Sequence, residues 1–207
     1  MRKSFVRIIS IILVLCMTLP IMASAMMAGE VSRVSVTING DSATARGFCW
    51  YTDEKAGTDV QVAVVGADLS KADVVSGVSY KAMEKYVHKV EVDTLKPNTK
   101  YQYRVGDSKT GVWSDVGYFT TPSKTKDEAN FIVFADVQAS NEENFQAAAK
   151  VLQSAVNTMP NYEFAVGLGD FVNDCTNEEW DSYFRNFSFM NMNTTLVPVA
   201  GNHEGNL

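Results

Sequence analysis

Apolar and polar positions alternate along the first half of the chain and recur every third or fourth residue in the second, so two structural styles follow one another. Between Val31 and Thr121, short β-branched and aromatic runs at 34–38, 43–51 and 60–65 are separated by turn segments such as Asn39-Gly40-Asp41 and 53–58. Val60, Val62 and Val64 alternate with Gln61 and Ala63, and Val87, Val90 and Val92 flank charged residues. One face of such a sheet is buried and the other wet. No helix of any length fits here, and the pattern predicts a small antiparallel sandwich over 31–122. Its aromatic residues read as core, because buried Trp and Tyr dominate such cores.

Residues 123–129, with Ser123, Lys124, Thr125, Lys126 and Asp127, carry almost no apolar content and read as a linker. The period then changes. Residues 130–136 form a nearly continuous apolar run, typical of a strand covered on both faces. A helix is predicted over 144–158, with Phe145, Ala148, Ala149, Leu152 and Val156 on one stripe and Pro160 ending it. A second buried strand follows at 162–170, a second helix at 177–187 with Trp180, Tyr183, Phe184 and Phe187, and a third strand at 195–201. Strand, helix, strand, helix, strand implies a parallel α/β (βαβαβ) sheet with right-handed crossovers. Residues 187–193, with Phe189, Met190 and Met192, either pack against a further portion of the protein or line a substrate path.

The start of the chain has a different character. Residues 1–25 combine Arg2, Lys3 and Arg7, an apolar run from Ile8 to Leu19, Pro20 and the A-x-A site Ala23-Ser24-Ala25. That order predicts a signal peptide cut after Ala25, hence a secreted or extracytoplasmic protein with no stable membrane span after cleavage. An uncleaved anchor is the alternative, interrupted by Pro20 and Ser24. Cys49 and Cys175 then remain, one in each half, and are expected as free, buried thiols.

Charge excludes one class of function. The chain holds 18 Lys+Arg and 24 Asp+Glu, a formal net charge of −6. Residues 1–25 contain three basic residues and no acid, so the rest carries 15 against 24, a formal −9. An acidic chain offers no basic field for a phosphate backbone, so nucleic acid is not an expected partner. Of the two histidines, His88 sits between valines in a strand of the sandwich and reads as a surface residue, which leaves His203 for chemistry.

Each strand of the second half ends in polar residues of a particular kind. The first ends Asp136-Val137-Gln138, the second Gly167-Leu168-Gly169-Asp170, the third Gly201-Asn202-His203-Glu204. Spacings of 34 residues from 136 to 170 and 32 from 170 to 202 each amount to one strand-helix unit. Open α/β sheets bind ligands at the carboxyl ends of their strands, so these groups can converge. Carboxylate, amide oxygen and imidazole suit hard or borderline divalent metals, and the adjacent glycines allow tight turns.

The stretch Leu95-Lys96-Pro97-Asn98-Thr99-Lys100-Tyr101-Gln102-Tyr103-Arg104-Val105, a turn and a strand with two tyrosines on one face, resembles the tyrosine corner of fibronectin type III domains. With Arg46-Gly47-Phe48-Cys49-Trp50-Tyr51-Thr52 and Tyr118-Phe119-Thr120-Thr121-Pro122, the first half looks more narrowly like the N-terminal domain of purple acid phosphatases. Residues 130–207 look like the first part of a calcineurin-like metallophosphoesterase domain.

What the resemblance implies is an exported, acid phosphatase-like enzyme that hydrolyses phosphate monoesters at a pair of metal ions, Fe, Zn or Mn. Asp136 would bind the first metal, Asp170 would bridge both, Asn202 would bind the second, and His203 would contact the phosphate and protonate the leaving oxygen. Many family members have His where this chain has Gln138, so Gln138 is expected as a weaker oxygen ligand. Purple members carry Tyr where this chain has Asn173, so no tyrosinate–iron colour is expected. Later strands of the family add further histidines, and the chain is expected to be an N-terminal fragment, incomplete at its metal site and inactive alone. Its three-stranded sheet should then leave an open edge and apolar faces uncovered. Two alternatives stand beside this: a secreted binding or adhesion module with a vestigial α/β piece, and a nucleotidase or phosphodiesterase. Oligomeric state is left open.

Overall fold

The structure, a computed structural model, describes residues 29–125 and 127–204, so the signal segment expected at 1–25 lies outside the described residues. The chain first runs through β1 (Ser32–Ile38), β2 (Arg46–Thr52), β3 (Asp59–Val64), β4 (Val74–Ser76), β5 (Val78–Ala82), β6 (Lys85–Val92), β7 (Lys100–Asp107), β8 (Val112–Trp113) and β9 (Gly117–Thr120). Then follow β10 (Phe131–Phe134), α1 (Glu142–Thr158), β11 (Phe164–Gly167), α2 (Asn177–Asn186), the short α3 (Ser188–Asn191) and β12 (Thr195–Pro198).

The first nine strands form two antiparallel layers. One contains β1, β2, β6 and β5, the other β4, β3, β7 and β8 with β9 paired to β7. Inward residues alternate with wet ones, as in β2, where Phe48 and Trp50 are buried beneath Tyr103 and Phe119 of the facing layer. Phe48 and Tyr103 meet with ring centroids 4.9 Å apart. Tyr101 is buried and its hydroxyl accepts a hydrogen bond from the Lys96 N–H at 2.8 Å, whereas the Tyr103 hydroxyl donates to Met192 O at 3.1 Å.

His88 is not a surface residue: it is fully buried in β6, stacked on Trp50 at 5.1 Å between ring centroids. Its two ring nitrogens are satisfied by Thr52 Oγ1 at 2.8 Å and Thr58 Oγ1 at 2.7 Å, which offsets the cost of burying the imidazole. Both Cys49 and Cys175 are free; Cys175 is buried and Cys49 only half-buried.

In the second unit β10, β11 and β12 run parallel, in register Phe131↔Phe164 and Phe164↔Thr195. Asn141 caps α1 by accepting from Asn144 N, and Phe145, Ala149 and Leu152, one, two and three turns on, are buried. Thr176 and Glu179 make a capping box at α2, whose Tyr183 is buried. Both helices cover the sheet face that carries Ile132, Ala165 and Leu196. The first apolar run is therefore covered on one face, not two: Phe131 is 45% and Val133 51% exposed.

Of the two edges of this three-stranded sheet, β10 stays open as expected, whereas β12 is covered. β1 pairs with β12 in parallel, Val36↔Thr195 and Thr37↔Leu196, so one seven-stranded sheet runs in the order β10-β11-β12-β1-β2-β6-β5. A bulge in β1 between Ser32 and Ser35 turns Arg33, at φ +51°, into the junction. Its Nε donates to Asp181 Oδ1 at 2.7 Å and its Nη2 to Asn177 O at 2.8 Å. In the segment 187–193, Phe187, Met190 and Asn191 are buried, Met192 O also accepts from Tyr118 N, and Ser188 and Met192 line an open cleft beside Arg33 and Asp181. Among the described residues no helix is long and apolar enough to cross a membrane.

Candidate metal centre

Past the carboxyl ends of the three parallel strands, the backbone continues to pair through single hydrogen bonds. Leu168 N donates to Phe134 O at 2.9 Å, Asp136 N to Gly169 O at 3.2 Å and Gln138 N to Asp170 O at 2.7 Å, and Val199 N donates to Gly167 O at 2.8 Å. A parallel bridge at Ala139↔Val172 ends this zipper. The loops bearing Asp136, Gln138 and Asp170 are thereby fixed side by side.

All three of those residues adopt left-handed backbone, with φ of +52°, +35° and +52°. That conformation is uncommon for residues with a Cβ and is held only where surrounding contacts enforce it. The glycines explain how the loops can approach so closely. A Cβ at Gly169, itself at φ +94°, would collide with the Gly201 backbone, and one at Gly201 would collide with Asp170. Gly201 then leads into the third loop, whose His203 N–H donates to Asp170 Oδ1 at 3.0 Å.

His203 is held at both ring nitrogens. Nδ1 lies 2.5 Å from Asn173 O, and a carbonyl oxygen only accepts, so Nδ1 carries the proton and donates it there. Nε2 is left toward the loop edge, 2.9 Å from Gln138 Nε2, whose N–H it accepts in the neutral ring. The Gln138 amide nitrogen also reaches Asn173 Oδ1 at 3.4 Å.

Four of the five residues singled out in the sequence, Asp136, Gln138, Asp170 and His203, thus stand on loops in direct contact. Asn202 sits between two of the contacting residues, on the same loop, with its side chain exposed. Two more have no role at the site in the sequence reading: Asn173, which figures there only for standing in place of a tyrosine and whose carbonyl orients His203, and Glu204, which is 9% exposed. Glu204 Oε2 accepts from Asp170 N and Gly201 N, and Oε1 from Phe171 N, each at 2.8 Å. Its signal is local: a carboxylate three residues after a glycine can reach back to that glycine's N–H, as in a helix cap.

Among the described residues no group of three or more His, Cys, Asp or Glu stands close enough to hold a metal ion. The donors at this edge are two carboxylates, Asp136 and Asp170, with the amide oxygens of Asn202 and Gln138. In kind they fit a hard or borderline cation, and in number they fall short of two full coordination shells. A separate cleft of about 450 Å³, lined by Arg46, Asn98, Glu128, Phe164 and Thr195 among others, opens between the units at the amino ends of the strands, away from these groups.

Residues 31–121 match the family model of the purple acid phosphatase N-terminal domain, and residues 129–207 match that of the calcineurin-like phosphoesterases. No curated protein matches the chain. Similar solved structures include two of the sensor domain of the anti-sigma factor RsgI4 of Pseudobacteroides cellulosolvens. The shorter form matches at 20% identity and a TM-score of 0.31, covering 44% of this chain and 97% of that one. The longer form matches at 19% identity and a TM-score of 0.34, covering 47% and 97%. Astrotactin-2, described as a vertebrate-specific, perforin-like membrane protein, matches at 13% identity and a TM-score of 0.30, covering 73% of this chain and 27% of that one.

Proposed function

We propose, for a chain that belongs to the calcineurin-like phosphoesterases and carries a purple acid phosphatase N-terminal domain, that it is an exported, metal-dependent phosphoesterase acting on phosphate monoesters. The observation that carries this reading is the contact among three strand-end loops, through Gln138 N on Asp170 O and His203 N on Asp170 Oδ1. Residues 32 and 33 positions apart in sequence meet there, which brings the Asp170 carboxylate beside the loop that carries the His203 imidazole, the groups this chemistry needs.

In this reading Asp136, Asp170 and Asn202 would hold two metal ions, Fe, Zn or Mn, with Gln138 Oε1 as a weaker ligand. Bound there, the ions supply Lewis-acid polarisation of a phosphoryl oxygen and an acidified water. The chain's own residues do the rest. Asp170 is fixed for its part by the His203 N–H, so one carboxylate oxygen is oriented before any ligand arrives. His203 keeps its Nδ1 proton on Asn173 O, which turns Nε2 toward the substrate side. A proton carried on Nε2 passes to the leaving oxygen, and Gln138, by turning its amide, can accept from the protonated nitrogen or donate to the bare one. Asn173 in place of a tyrosine removes any phenolate ligand, so a loaded protein should lack purple colour. The first unit is read as fibronectin III-like, supported by the Lys96 N–H bond to the Tyr101 hydroxyl. Export rests on the signal segment, with cleavage after Ala25.

Titration with Mn²⁺, followed by the loss of the free-ion electron paramagnetic signal, tests the assignment. The wild-type chain should bind, and Asp170→Asn and Asp136→Asn should each weaken binding at least about tenfold while keeping the circular dichroism of the parent. Equal binding by Asp170→Asn and wild type would overturn it. Turnover of p-nitrophenyl phosphate by this chain with Mn²⁺, lost in Asp170→Asn, would further show that these donors suffice.

A further inference from the structure

We propose that Glu204 is a positioning residue: its buried carboxylate clamps the loop of Asp170 to the loop of Asn202 and His203 and so sets the distance between the groups of the candidate site. The clamp is built from three bonds of equal length. Oε2 takes the N–H of Asp170 and the N–H of Gly201, and Oε1 takes the N–H of Phe171, all at 2.8 Å. Two of those donors belong to the second strand's loop and one to the third's. The carboxylate faces backbone rather than solvent, being only 9% exposed.

Two other direct links join the two loops, and the first, His203 Nδ1 on Asn173 O, ties them three residues past Asp170 through a side chain rather than at Asp170 itself. The second, His203 N on Asp170 Oδ1, uses the oxygen of a proposed ligand and is therefore the bond that must adapt when the site is filled. Gly169 and Gly201 allow the approach by lacking side chains, but an allowed approach is not an enforced one. A carboxylate, which only accepts, meets three backbone donors, that of Phe171 buried and those of Asp170 and Gly201 part-buried. Such charge-assisted bonds are about twice as strong as neutral ones, and leaving a buried donor unmet carries the full desolvation penalty. The consequence for the site is geometric. Asp170 and Asn202 lie next to clamped residues on either side, so their separation follows from the span of one carboxylate. The link to metal binding rests on the reading given above; the clamp itself does not.

An isosteric change separates the clamp from simple packing. Glu204→Gln keeps size and shape but places an NH₂ group against at least one backbone N–H, whereas Glu204→Asp keeps the acceptor and shortens it. In the wild-type chain, without metal, amide exchange should show the Asp170, Phe171 and Gly201 N–H groups protected. In Glu204→Gln those three should exchange at least about tenfold faster while the amides of Ile132 and Leu196 in the strands keep their rates, and Mn²⁺ affinity should fall about tenfold, as for other groups that orient metal ligands. Glu204→Asp should recover part of both. Rapid exchange of the three amides in wild type, or unchanged rates in Glu204→Gln, would overturn the proposal. If exchange behaves as expected but the wild type binds no Mn²⁺, the clamp stands and the metal reading fails.

Discussion

At the scale of the residue, His88 shows how a titratable group is kept neutral inside an apolar layer. The Thr52 hydroxyl gives its one proton to Glu54 O at 2.6 Å, so its oxygen must accept from His88 Nε2–H, and Nδ1 in turn accepts from the Thr58 hydroxyl. Burial holds the imidazole below its ordinary pKa, against the opposing pull of Asp107. A base whose folded pKa is depressed binds fewer protons than the unfolded chain just below the unfolded value, about 6.5. Its contribution is therefore complete above that pH and is lost as pH falls through it, with a slope of up to about 1.4 kcal/mol per pH unit. Urea unfolding at pH 7.5 and 5.5 should show the wild type losing stability, and the non-titrating His88→Gln, though less stable at pH 7.5, should lose less between the two; equal losses would refute this account. None of this was legible from the sequence, because Thr52 and Thr58 stand 36 and 30 residues from His88 and only the folded layers bring them to its ring. The site residues were legible for the opposite reason. Asp136 and Asp170 of the candidate site each end an apolar run, Asp170 beside Gly169, and that pattern is local.

Elements differ in the same way. α1 follows directly from the spacing of Phe145, Ala149 and Leu152, and α2 from its aromatics, because an amphipathic stripe is written at a fixed period. β5 has no such mark: Val78 and Tyr80, its largest apolar residues, are 66% and 47% exposed on an edge strand, so no burial pattern distinguishes it. α2 also has a job beyond covering the sheet, since its first turns carry Asn177 and Asp181, the partners of Arg33. Its start depends on Glu179, 6% exposed, whose Oε2 accepts from Asp174 N at 2.8 Å and from Thr176 N at 3.4 Å, while Thr176 Oγ1 accepts from Glu179 N at 3.2 Å. Thr176→Ala should cost about 1 kcal/mol of unfolding free energy, the usual worth of a helix cap. Glu179→Ala should cost about 2 kcal/mol, because it takes the acceptor from two backbone donors, of Asp174 and Thr176, as well as opening the box. Denaturant midpoints at constant slope check both, and a Glu179→Ala cost below that of Thr176→Ala would contradict this account of the two donors.

The molecule as a whole is joined by a strand pair that neither half of the sequence announces. β1 reads as one strand of the sandwich and β12 as the third strand of a parallel sheet, and both patterns are equally satisfied by other neighbours. What selects the pairing is the set of polar groups buried with it. Arg46, 2% exposed on β2, donates from Nε to Thr195 Oγ1 of β12 at 3.0 Å, from Nη1 to Ser42 O and Ala45 O, and from Nη2 to Thr120 O at 3.1 Å. Its guanidinium also lies over the Phe119 ring at 5.3 Å. Desolvation lowers its pKa to about 10, which still leaves it charged at neutral pH, so the cation is held in the junction by carbonyl and hydroxyl oxygens. A continuous sheet with a buried cation at its seam should unfold as one unit, which argues against a sandwich that works alone as a binding module. Tryptophan fluorescence, with Trp50 and Trp113 in the first unit and Trp180 in α2, and helical circular dichroism from α1 and α2 should therefore give coincident urea transitions. Arg46→Ala removes the donors of three carbonyls at once and should destabilise by about 3 kcal/mol. If the seam couples the units as described, the variant's two signals separate, the helical one falling first because β12 has lost its hold on β2 while the sandwich keeps its aromatic core. Transitions that stay coincident with an unchanged midpoint would mean that Arg46 fills space at the junction without joining it.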